Sequence, residues 1–116
     1  MKGELLMKWK IDFYDTKITK EILDWPEGIK AKFWRIAKLI EEFGPHEVKM
    51  PHIKPMGQGL FEIRAKGQEG IGRALFCIEK KQIIIILNSF IKKTQKTPQN
   101  EIEIARTRME EVKRNG

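Results

Sequence analysis

The chain predicts an α+β domain: an antiparallel sheet, built from an N-terminal strand and a three-strand meander, packed against a two-helix hairpin and followed by a C-terminal helix. Three observations carry this. Apolar and polar residues alternate with period two at Met7–Tyr14 and at Leu60–Lys66, as half-buried strands require. Apolar residues recur at helical spacing from Ile29 to Phe43. Five consecutive aliphatics, Ile83 to Leu87, fit a central strand covered on both faces.

Taken in order, Met7, Trp9, Ile11 and Phe13 alternate with Lys8, Lys10 and Asp12. This strand is expected at an edge of the meander, its lysines opposing edge aggregation. Asp15 or Thr16 can cap a short helix that Pro26 interrupts after Trp25. In the next helix Ile29, Phe33, Ile36, Ala37, Ile40 and Phe43 form the apolar stripe, and Gly44-Pro45 stops it. Phe33, with Trp34 near the stripe's edge, is expected against the sheet, and all three tryptophans are read as core. His46 to Gln58 has two prolines and no periodicity, so it reads as a loop. The meander follows as Leu60–Lys66, a turn at Gly67–Gly72, Arg73–Lys80 and Gln82–Phe90. Thr97 is expected to cap the last helix, with Pro98 at its first position. Its stripe, Ile102, Ala105, Met109 and Val112, is narrow, which predicts peripheral packing that a partner can displace or cover.

A chain of 116 residues, 41% of them hydrophobic, supports one folded domain over 1–116. The 23 Lys and Arg against 16 Asp and Glu leave a net charge of +7, which favours a polyanionic partner such as nucleic acid. A single cysteine, Cys77, forbids an intramolecular disulfide and suits a reducing compartment; inside a strand it reads as a small core residue. No apolar run approaches the roughly 18 residues of a membrane span, so a cytoplasmic protein with no membrane partner is expected.

Several chemistries lack their motifs. Gly67, Gly70 and Gly72 lie in a strand connection and not at a helix start, so no nucleotide-phosphate fingerprint is present. His46 and His52 stand six apart with no cysteine partner, which is not a metal-ligand spacing. No cofactor is expected. Cations on a rigid platform remain. Arg64 and Arg73, on adjacent strands, can present guanidinium forks to one phosphate, or each can pair with a carboxylate such as Glu62 or Glu79. Lys92, Lys93 and Lys96, within a stretch of five lysines and no acid from Lys80 to Lys96, either line a basic groove or form a solvated run. Phe90 reads as the last core residue of its strand, with base stacking as the alternative. For His46 and His52 the choice is between a surface loop and acid–base duty.

The order of elements resembles the RelE/ParE superfamily of toxins, and residues 59–106 are similar to its HigB-like, phage-derived branch. The most specific pieces are Leu60-Phe61-Glu62-Ile63-Arg64, Gly72-Arg73, and Phe90 to Pro98 followed by a helix carrying Ala105. The resemblance implies a RelE-like microbial ribonuclease fold and the toxin of a type II toxin–antitoxin system. RelE-like members are metal-independent endoribonucleases that cut messenger RNA, usually on the ribosome. The substrate's 2′-hydroxyl attacks the adjacent phosphate and leaves a 2′,3′-cyclic phosphate. By the same resemblance Arg64 and Arg73 bind phosphate and stabilise the transition state, and Lys92 and Lys93 contact RNA or ribosome. Glu62 acts as a base or orients an arginine. The terminal histidine or tyrosine of several relatives is missing, so Lys49, His52 and Lys54 are the acid–base candidates, a lysine base needing a pKa lowered by neighbouring cations. The implied partner is a helix-turn-helix, HigA-like antitoxin, in a toxin–antitoxin heterotetramer, engaging the basic face and the last helix. Two alternatives are a ParE-like, non-enzymatic inhibitor of DNA gyrase and a degenerate homologue that binds RNA or antitoxin without cutting.

Overall fold

The computed structural model describes residues 8–92 and 96–115. Among these residues five strands and three helices run in the order β1 (Lys10–Phe13), α1 (Thr16–Leu23), α2 (Glu27–Phe43), β2 (Ile53–Gly57), β3 (Leu60–Gly67), β4 (Gly70–Lys80), β5 (Ile83–Lys92) and α3 (Gln99–Asn115). They form one sheet of order β1-β5-β4-β3-β2. The class is α+β as the sequence predicts. Among the described residues no helix is long and apolar enough to cross a membrane.

Local chemistry explains most boundaries. The Asp15 carboxylate accepts from Ile18 N at 3.1 Å and starts α1. Gly44 ends α2 at a φ of 87°, a conformation few side chains tolerate. Gly67 pairs with Gly70, so the expected six-residue turn shrinks to Gln68-Glu69 and both strands lengthen.

Two features of the sheet depart from expectation. The predicted loop His46–Gln58 contains β2, a fifth strand at the sheet edge, paired antiparallel with β3. Its Pro55 hid it, since proline in a strand is tolerated only where its missing N–H faces no partner. The N-terminal strand is indeed at the other edge, but it runs parallel to β5, from Lys10 opposite Ile83 to Phe13 opposite Ile86. The sheet is therefore mixed. The parallel pair follows from connectivity: α1 and α2 carry the chain from one sheet edge to the other before the meander begins.

The sheet buries both faces. On one, Ile63, Ala65, Ala74, Phe76, Ile84 and Ile86 pack against Ile18, Ile22, Trp25, Ile29, Phe33, Ile36 and Ile40 of the helical hairpin. Gly72 belongs to this face, and a Cβ there would come within 2.6 Å of both Trp25 and Ile29, so the missing side chain admits the hairpin. Trp9 packs at the rim and Trp25 is buried, but Trp34 is 41% exposed and so lies outside the core, one helical step beyond Phe33's inward direction. On the other face Leu60, Leu75, Cys77, Leu87 and Phe90 meet Ala105 and Met109 of α3. The last helix is thus docked over a second core and not peripheral. Its narrow stripe suffices because polar anchors add to it: Arg106 donates to Met56 O at 2.9 Å and Arg108 to Leu87 O at 2.7 Å.

Candidate active site

Period two along β3 sends Glu62, Arg64 and Lys66 to the sheet face that α3 half covers. Register sets Arg64 directly opposite Arg73 on β4, and Glu62 opposite Lys54 on β2. Like charges directly opposite each other repel. Glu62 removes that difficulty. Its Oε1 lies 2.9 Å from Arg64 Nε, and its Oε2 lies 3.9 Å from Arg73 Nη1. Thr97, just ahead of α3, completes the cluster: Arg73 Nη1 donates to Thr97 Oγ1 at 2.9 Å, and the Thr97 hydroxyl donates to Glu62 Oε2.

Glu62 and Arg73 are fully buried, while the Arg64 side chain keeps 18% of its surface open. Burial lowers the Arg73 pKa; Glu62 opposes this and Arg64 adds to it. A guanidinium nevertheless stays charged throughout the working range. One carboxylate against two guanidinium groups leaves the cluster net positive, with its cationic end at Arg64.

Beyond Arg64 the face opens into a pocket of ≈ 350 Å³ lined by Lys32, Pro51, His52, Arg64, Lys66 and Ile71. Arg64 N donates to His52 O at 2.8 Å, which ties the histidine's backbone to the strand carrying the arginine. Three side chains of cationic type and one imidazole thus face a common space. Such a space can hold a phosphodiester, with guanidinium and ammonium donors on its oxygens and an imidazole within reach of a proton. Among the described residues no three His, Cys, Asp or Glu side chains gather as a metal site would need.

The structure brings together Glu62, Arg64, Arg73 and His52, with Lys54 half-buried across from Glu62. The pairing of both arginines with Glu62 is the carboxylate alternative, realised in a buried cluster and not on a solvated face. Lys49 does not join them. It lines a separate pocket with His46, Met50 and Phe61, and Phe61 belongs to the face packed on the helical hairpin. Phe90 lies opposite Arg73 with 6% exposure in the second core, the packing role expected of the last core residue of its strand. Lys92 is exposed at the end of β5, opposite the pocket residue Ile71, and Lys96 is exposed as well. Lys93 lies outside the described residues.

Three site residues went unnoticed in the sequence. Lys66 follows Glu62 and Arg64 at the same strand parity, a signal sufficient to find it. Lys32 reaches the pocket from α2, and no local pattern announces that. Thr97 was expected to cap α3, but Pro98 O takes the N–H groups of Glu101 and Ile102 while the Thr97 side chain turns to the sheet.

A family model described as Phage derived protein Gp49-like matches residues 20–110. No curated protein matches the chain. Among solved structures, RelE in the crystal structure of the archaeal RelE-RelB complex from Pyrococcus horikoshii OT3 aligns with a TM-score of 0.54 at 17% identity, over 78% of this chain and 100% of that one. At that identity the likeness speaks to the fold, which is RelE-like.

Proposed function

The chain belongs to the phage-derived Gp49-like family, and on that premise we propose that it is the toxin of a type II toxin–antitoxin pair: a metal-independent, ribosome-assisted endoribonuclease acting on messenger RNA. One observation carries the reading. Arg64, ion-paired to the buried Glu62, forms part of a cation-lined pocket that also holds His52.

In this reading the scissile phosphate enters the pocket and Arg64 donates to its non-bridging oxygens. The 2′-hydroxyl of the preceding ribose attacks phosphorus, the 5′-oxygen leaves, and the products are a 2′,3′-cyclic phosphate and a 5′-hydroxyl. Charge that builds on the phosphorane meets a guanidinium already oriented by Glu62, so little reorganisation is needed at the moment of reaction. His52 serves as the acid–base group, since an imidazole can both take up and release a proton and this one shares the pocket with Arg64. Glu62, without solvent exposure, acts as an orienting group and not as the base. Arg73 is equally enclosed and is a positioning residue. Lys32, Lys66 and Lys92 hold the flanking RNA backbone.

The archaeal RelE is solved in complex with RelB, which supports an antitoxin partner here. The HigB-like resemblance makes that partner a helix-turn-helix protein and the assembly a heterotetramer.

Primer extension on cellular messenger RNA, after brief induction of the chain without antitoxin, tests the reading. New 5′ ends inside translated frames are expected, and Arg64→Ala should reduce them about 100-fold while the protein stays folded. Growth arrest with intact transcripts would overturn the nuclease reading and direct attention to gyrase.

A further inference from the structure

We infer that Thr97 is a positioning residue of this site: its hydroxyl joins Arg73 to Glu62 and, through Glu62, sets where Arg64 lies in the pocket. The inference rests on the nuclease reading and names a residue that reading does not require. Arg73 Nη1 and Glu62 Oε2 stand 3.9 Å apart, beyond hydrogen-bond reach. Thr97 Oγ1 fills the gap, accepting from Arg73 at 2.9 Å and donating to Glu62. A hydroxyl does this because one atom both donates and accepts.

The contacts bridge 24 and 35 residues of chain, and Thr97 is 6% exposed, so water does not replace them readily. Glu62 then has Oε2 hydrogen-bonded by Thr97, while its Oε1 lies 2.9 Å from Arg64 Nε in an ion pair whose alignment is not that of a hydrogen bond. Holding one oxygen fixes the carboxylate plane and with it the position of the other. Arg64 is the member of this relay that lines the pocket. A displacement of about 1 Å at such a group can cost on the order of 100-fold in rate. Thr97 also stands immediately before Pro98 and α3, so the start of the helix that covers the second core is tied to the site.

Purified full-length chain carrying Thr97→Val, which keeps the shape and removes the hydroxyl, is compared with Thr97→Ser, which keeps the hydroxyl. Three quantities are read: cleavage in a translating extract, binding of a short RNA oligonucleotide, and the Arg64 Nε–Hε signal in nitrogen-15 NMR. Thr97→Val should lower the cleavage rate about 100-fold with RNA affinity held within about threefold, and should move the Arg64 signal. Thr97→Ser should restore all three. An unmoved Arg64 signal and unchanged cleavage in Thr97→Val would overturn the inference. Should Thr97→Val fail to fold, Thr97→Ser carries the test: retained signal and cleavage support the inference, and their loss overturns it. Should the parent chain cut no RNA, the nuclease reading fails. The Arg64 signal then still decides the coupling, supported if it moves in Thr97→Val alone and overturned if it does not.

Discussion

Tyr14 is the chain's single tyrosine, and its hydroxyl donates to Glu111 Oε1 at 2.5 Å across 97 residues of sequence. The Arg108 guanidinium sits 4.8 Å over its ring. The hydrogen bond to Glu111, ahead of desolvation, raises the phenol pKa above its ordinary value, while Arg108 pulls it down. The fold therefore favours the neutral phenol. Its contribution to stability is complete below the unfolded pKa of about 10 and is lost as pH rises through the higher folded value. Ultraviolet titration of tyrosinate should show a later midpoint in the native chain than in denaturant, and Glu111→Gln should narrow the gap. At this scale the shared face of Glu62 and Arg64 was legible from strand parity, while Arg73 joins them only through the register of β4 against β3. Thr97 was not. A threonine before proline reads as a cap, and only the approach of two distant strands gives its hydroxyl better partners.

Helix α3 shows what an element-level pattern conveys and what it omits. The stripe of Ala105 and Met109 was visible, but the surface it covers, from Leu60 to Phe90, was not. Cys77 lies in that covered surface, with burial pushing its thiol pKa up. Its reaction with a disulfide reagent should therefore be slow in the native chain and report the opening of α3. Arg106→Ala removes the bonds to Met56 O and Gly57 O, an expected loss of about 1 kcal/mol, and should speed labelling about fivefold. Labelling at the parent rate would show that those bonds do not hold the helix down. Strand β2 escaped for the opposite reason: five residues with a proline carry too little periodicity to be seen, and pairing with β3 makes them a strand.

For the whole molecule the relevant quantity is charge. A net +7 is a weak clue by itself, but the fold gathers Lys32, Arg64 and Lys66 around one pocket and leaves Lys92 exposed near it. RNA affinity should accordingly fall steeply with salt, and Lys66→Ala should reduce the slope of log K against log salt by about 1. Binding insensitive to salt between about 50 and 200 mM would argue against a phosphate-directed surface. The same scale explains the parallel β1–β5 pair, since a helical hairpin that spans the sheet delivers the chain to the far edge before β2 begins.

Sequence pattern was enough for the class of the fold, the three helices, the meander and the strand face that Glu62 and Arg64 share. Those properties are written in periods of two and 3.6 residues, which depend on neighbours close along the chain. Tertiary structure alone decided that β1 pairs in parallel, that α3 seals a second core, that His52 and Lys32 share a pocket with Arg64, and that Thr97 faces Glu62. Each of these requires contacts between residues distant in sequence. Their free energy comes from burial and pairing across the sheet, which no local pattern encodes.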